Sequence, residues 1–185
     1  MPNKYNLEQN HLTKESILEA LILLMKKKDF KNISVTEVTK KAGVSRMAFY
    51  RNYQIMEDVI IDHLENMFND YLTLLMQQKI SNYEMTRLYF YYFRQHQLFI
   101  ATLLQARLTH LILEQSVEFL DEFSKLLICE IDCSPEFERY NIRFIAGGFF
   151  NVLMTWCEHG MVESDEQMAE LVCERLSNHI TEIQL

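Results

Sequence analysis

Only four glycines and two prolines punctuate the 185 residues of this chain. These two residue types make tight turns at the lowest conformational cost. A β-sandwich or a doubly wound sheet needs many such turns, so both are disfavoured. Mostly helix is the architecture that survives. Hydrophobic residues make up 49% and charged residues 24%, a balance that belongs to a folded, water-facing protein. The length supplies one or two small domains with a sizeable core. The longest uncharged run, FIAGGFFNVLMTWC from Phe144 to Cys157, is too short to span a bilayer. The opening stretch MPNKYNLEQNHLTKE holds no apolar segment, so no secretory leader and no membrane partner are expected, and the location expected is cytoplasmic. Cys129, Cys133, Cys157 and Cys173 form no CxxC pair. Free thiols in a reducing compartment are expected, with a redox-sensing thiol as the rarer alternative.

Charge divides the chain in two. Residues 1–56 carry ten of the 18 basic side chains and five of the 26 acidic ones, a net of +5. Since the total is −8, residues 57–185 carry −13. A basic head on an acidic body suits a polyanion-binding module joined to a part with another task. The division expected is therefore 1–56 and 57–185, inside one continuous helical body.

About nine helices follow from apolar spacing and capping signals. Thr13 is expected to cap the first, with Ile17, Leu18, Leu21, Leu24 and Met25 along one face. The Lys26-Lys27-Lys28 run suits the negative end of a helix as well as it suits a phosphate. Ser34-Val35-Thr36-Glu37 matches a capping box, and Gly43 can stop the short helix that follows. Ser45 caps a third helix two residues later. Two short helices across a tight glycine turn, braced by a longer one, make a helix-turn-helix. Further helices are expected from Asp58 to about Gln78, around Tyr89-Phe90-Tyr91-Tyr92-Phe93, over Leu98–Gln105 and Thr109–Cys129, after Ser134-Pro135, and after the Ser164/Gln167 box. The aromatic run goes right round its helix and must meet apolar material on nearly every side.

A capped helix aims backbone N–H groups and positive dipole at phosphate, and Ser34 and Ser45 head two such helices. The third helix of this motif enters the major groove with its early residues on base edges. Arg46 can grip a guanine edge with both arms, and Met47 or Ala48 can touch a thymine methyl. Tyr50 and Arg51 fall nearer the backbone. Phe49 and Tyr53 are assigned to the small core of the head.

The segment VTKKAGVSRMAFYRNY, within Thr13–Val59, resembles the DNA-binding domain of TetR-type (TetR/AcrR) transcriptional regulators, whose pattern reads IAxxAGVSxxTxYxxF. FIAGGFFNVLMTWCEHG with the capped helix after it also resembles one ligand-domain subgroup of that family. The resemblance implies an all-α homodimer with an N-terminal helix-turn-helix head and a C-terminal ligand-binding and dimerisation domain. It implies a ligand-responsive regulator, a repressor, on a palindromic operator. Carried over by position, Lys14, Ser34 and Thr36 would meet phosphate, Arg46 and Met47 would face bases, and Tyr50, Arg51 and Asn52 would hold the backbone. Met47, Ala48 and Met56 stand where the family commonly has a small residue, Thr and Lys. Losing that Lys removes a phosphate contact and about one unit of salt dependence.

One motif reads too few base pairs, so a dimer with heads about 34 Å apart is expected. The helices near 135–159 and 164–183 are the interface candidates. Gly147-Gly148 in mid-helix costs about 1 kcal/mol per glycine against alanine, which close helix approach would offset, either with a partner or within the subunit. The stripe Met168, Val172, Leu176, Ile180 and Ile183 raises the same choice. Phe90, Phe93, Arg94, Phe99, Phe149 and Trp156 are the candidates for an effector pocket, with His96, Arg107 and His110 as further polar groups. An aromatic stripe is equally a plain core. Ligand binding there is expected to move the fourth helix and so change the spacing of the two heads. No cofactor or metal is implied, and no enzyme: no phosphate loop, HExxH, nucleophile elbow or carboxylate cluster is found. A non-DNA-binding helical adaptor acting through a protein partner is the alternative.

Overall fold

The computed structural model describes residues 4–76, 81–126 and 135–178, and among them the chain is helical with no strand. Nine α-helices follow in order: α1 Lys4–Met25, α2 Val35–Ala42, α3 Arg46–Asn52, α4 Glu57–Met76, α5 Asn82–Gln95, α6 Gln97–Ala106, α7 Thr109–Leu126, α8 Pro135–Glu158 and α9 Asp165–Asn178. The all-α expectation and the helix count both hold. One 3-10 turn, Phe30–Asn32, lies between α1 and α2.

The start of the first helix differs from the expectation. α1 is already helical at Lys4, so Thr13 sits in its interior. The Thr13 hydroxyl donates to the Gln9 carbonyl at 2.8 Å, and Ser16 donates likewise to Leu12 at 2.9 Å. A hydroxyl can satisfy itself on the preceding turn as readily as it can cap, which is why the sequence signal misplaced this end.

The next two helices are bounded as their local chemistry requires. Ser34 holds an extended backbone and its hydroxyl accepts from the Glu37 N–H at 3.3 Å, while the Glu37 carboxylate accepts from the Ser34 N–H at 2.9 Å. Gly43 ends α2 at φ 70°, in the left-handed region, and the Val44 N–H then reaches the Thr39 carbonyl at 3.0 Å. That closes a Schellman turn. Ser45 caps α3, its hydroxyl accepting from the Ala48 N–H at 3.0 Å. α2 and α3 are too short to persist alone. They are held by a small core in which Val38 and Phe49 meet Ile17 and Leu21 of α1, with Ile33 and Tyr53 closing its edges.

That core runs without a break into the body, one cluster extending from Ile17 to Met168. α1 rests on α4 and α6, α7 packs on α4 and α8, and α9 lies along α5. Cys157 is buried and Cys173 half-buried, both as free thiols. Cys129, Cys133, Ser134, the Leu176 side chain, Ile180 and Ile183 lie outside the described residues. Among the described residues, no helix is long and apolar enough to cross a membrane.

Candidate nucleic-acid interface

α3 offers a polar and soft apolar face to water. Arg46, Met47, Tyr50 and Arg51 are exposed, Met47 by 82%. Tyr50, 52% exposed, lies on the same helix, so α3 carries soft apolar surface beside its two arginines. The Arg46 guanidinium lies 5.9 Å from the centre of the Tyr50 ring, and that ring meets Phe49 edge to face at 5.4 Å. Phe49, fully buried, anchors the helix from below, so the exposed residues stand on a fixed base. Thr36, Ser34 and Ser45 are also exposed, at the starts of the two capped helices.

Three of the expected phosphate and backbone contacts have internal partners. The Ser34 hydroxyl donates to Glu37 Oε2 at 2.8 Å. The Asn52 side-chain amide donates to the Ala48 carbonyl at 2.9 Å. Lys14 turns toward α4: its ammonium donates to Asp62 Oδ1 at 2.5 Å and lies 5.7 Å from the Tyr53 ring. The other Asp62 oxygen accepts from the Tyr53 hydroxyl at 3.0 Å. Burial and the adjacent Asp62 charge push the Tyr53 phenol above its usual range, so it remains a donor. Sequence reading assigned Tyr53 to the core and passed over Asp62. The available signal was Asp58 and Asp62, four apart on one face of α4 beside a basic head.

Of the lysine run, Lys28 is engaged. It donates to Glu37 Oε1 at 2.7 Å, so the capping carboxylate also ties α2 to the end of α1. Hydrogen bonds from Lys28, then from the Ser34 N–H and hydroxyl, hold the Glu37 carboxyl down at about 2. Met56 is half-buried against the core.

The effector-pocket candidates form a packed aromatic interior. Phe90 and Phe93 are fully buried, Phe99 and Trp156 nearly so, and Phe149 is half-buried. Phe90 meets Trp156 edge to face at 5.4 Å and Phe149 at 6.3 Å, Phe93 meets Phe68 at 5.5 Å, and Phe99 meets His63 at 4.6 Å. Burial pushes His63 and His96 below their usual pKa, so both are neutral at pH 7. Arg94 faces the α8–α9 turn. It donates to Asp165 Oδ1 at 2.8 Å and to the carbonyls of Met161 and Glu163 at 2.7 and 2.6 Å, and lies 4.5 Å from the Trp156 ring centre. Its donors therefore tie down a turn that contains two successive left-handed residues, Gly160 and Met161. The Tyr92 hydroxyl and the Trp156 indole N–H are buried with no hydrogen-bond partner among the described residues. A groove of about 350 Å³ opens between α8 and α9, with Val152, Trp156, Met168 and Leu171 in its walls.

The outer face of α8 is bare and apolar. Phe137, Tyr140 and Phe144 are 66%, 65% and 73% exposed. A Cβ added at Gly147 or Gly148 would meet nothing within 4 Å, so among the described residues no neighbour approaches closely enough to account for the pair.

Residues 81–178 match the family described as the C-terminal region of transcriptional regulators. Over 81 residues the chain is 24% identical to IcaR of Staphylococcus epidermidis, the negative transcriptional regulator of the biofilm operon icaADBC, a match spanning 44% of each chain. The chain thus spans less than half the length of that curated relative. Among solved structures, Lin0861 from Listeria innocua shares the fold with a TM-score of 0.80 at 16% identity, covering 96% of this chain and 95% of that one. A TetR transcriptional regulator from Streptococcus agalactiae matches with a TM-score of 0.60 at 22% identity, covering 90% and 94%.

Proposed function

Because this chain belongs to the TetR family of transcriptional regulators, we propose that it represses transcription as a homodimer on a palindromic operator and releases the DNA when a small molecule binds its body. The observation that carries the reading is the exposed face of α3 on its buried Phe49 anchor. Arg46 and Met47 read bases. Thr36, Ser45, Tyr50 and Arg51 hold phosphates, and Ser34 and Asn52, engaged within the head, lie beside them. Residues 1–56 form the DNA-binding unit and 57–185 the sensing and dimerising one. The bare apolar face of α8, with its uncovered glycine pair, supports a second copy of the chain as the partner there, together with α9.

The effector enters among helices α4 to α8 by parting the aromatic interior, where the Tyr92 hydroxyl offers a buried donor in want of an acceptor. Such an entry displaces α4, which is packed against α1 in the head. The protein works in the cytoplasm, where the operator is. The experiment is selection of bound fragments from genomic DNA with the full-length protein, followed by gel-shift on the DNA upstream of its own gene. Recovery of a palindrome with half-sites about one helical turn apart is expected. Recovery of no duplex refutes the reading in favour of a helical adaptor.

A further inference from the structure

We propose that Asp62 is a positioning residue for α3: its carboxylate clamps α1, α3 and α4 together and so sets the one half-site spacing a dimer accepts. This rests on the operator reading above. Both oxygens of Asp62 are taken, Oδ1 by Lys14 of α1 and Oδ2 by the hydroxyl of Tyr53, the residue that ends α3. Tyr53 is 4% exposed, so its ring cannot swing while the head is folded. One turn earlier on the same face, Asp58 Oδ2 accepts from the N–H groups of Gln54 and Ile55 at 2.7 and 2.9 Å. The whole connection from α3 to α4 is thereby tied to two carboxylates of α4. Backbone bonds define the turn, and the Asp62 contacts fix its orientation against α1.

The adjacent residue faces the other way. His63 meets Phe99 of α6 at 4.6 Å and lies 6.2 Å from the ring of His96, at the corner between α5 and α6. One turn of α4 thus touches the head through Asp62 and the body through His63. α3 is seven residues long, about 10 Å. Tilting it by about ten degrees at the Tyr53 end moves Arg46 by roughly 2 Å, more than half of a base-pair step of about 3.4 Å. Register on two half-sites therefore depends on this clamp. Lys14, neutralised by Asp62, belongs to the clamp and adds nothing to the count of phosphate contacts.

The test uses the full-length protein and duplexes selected from a pool in which two half-sites flank a spacer of variable length. Wild type is expected to choose one spacing. Asp62→Asn and Tyr53→Phe are expected to bind that spacing about tenfold more weakly and to accept spacers one base pair longer or shorter. Lys14→Met is expected to leave the slope of log affinity against log salt unchanged. A slope reduced by about one unit would put Lys14 on phosphate and overturn its place in the clamp. Amide exchange without DNA is the second measurement: faster exchange over residues 46–56 in Tyr53→Phe, with α7 and α8 unchanged, is expected. Variants that keep the wild-type spacing, affinity and exchange overturn the proposal. If wild type selects no duplex, the operator reading fails, and the exchange measurement alone decides the clamp. Tyr53→Phe keeps the buried ring, so the test survives if Asp62→Asn does not fold.

Discussion

At the scale of single residues, exposure and partners separate the proposed readers of DNA from the holders of the fold. Arg46 is exposed, and no carboxylate partner is seen for it among the described residues. Arg46→Ala is expected to weaken operator binding about 10- to 100-fold and to relax preference at one base pair per half-site, measured by competition gel-shift on single-base operator variants. Glu37 behaves in the opposite way, through hydrogen bonds inside the head. Its folded pKa of about 2 lies below the ordinary 4.5, so its contribution is complete above pH 4.5 and is lost as pH falls toward 2. Melting temperatures of wild type and Glu37→Gln are therefore expected to differ near neutrality and to converge across that window.

At the scale of elements, what was legible was what is decided within four residues. Ser34, Gly43, Ser45 and Ser164 each mark a helix end through a bond to a near neighbour. Long-range pairing left no such trace. Arg94 and Asp165 lie 71 residues apart and Lys14 and Asp62 lie 48 apart, so Arg94 read as a pocket group and Lys14 as a phosphate contact. The aromatic run on α5 showed its surroundings only in outline. Tyr89, Phe90, Tyr92 and Phe93 are buried while Tyr91 is 46% exposed, yet periodicity alone cannot separate lining from filling. Arg94 makes the α8–α9 turn testable. Arg94→Ala removes three charge-assisted bonds across that turn, a loss of about 2–3 kcal/mol. A fall in melting temperature of roughly 5–10 °C is expected for a chain of this size, with α9 amides exchanging first.

At the scale of the whole molecule, residues 1–56 carry a net charge of +5 and residues 57–185 a net of −13, and the proposed dimer would join two basic heads to one operator. Phe144 is the most exposed of the three aromatic side chains on the bare α8 face. Phe144→Asp would bury a charge in the proposed interface. It is expected to leave the helical content intact, to sediment as a monomer, and to lose operator affinity by at least 100-fold, because each head alone grips one half-site. The same molecule carries its own optical reporter. Trp156 is the single tryptophan of the chain, 3% exposed, beneath the Arg94 cation and in the wall of the α8–α9 groove. Its emission is therefore expected to be blue-shifted and sensitive to that nearby charge, and a change in wavelength on adding a metabolite or diluting the protein would register effector entry or dissociation without any label.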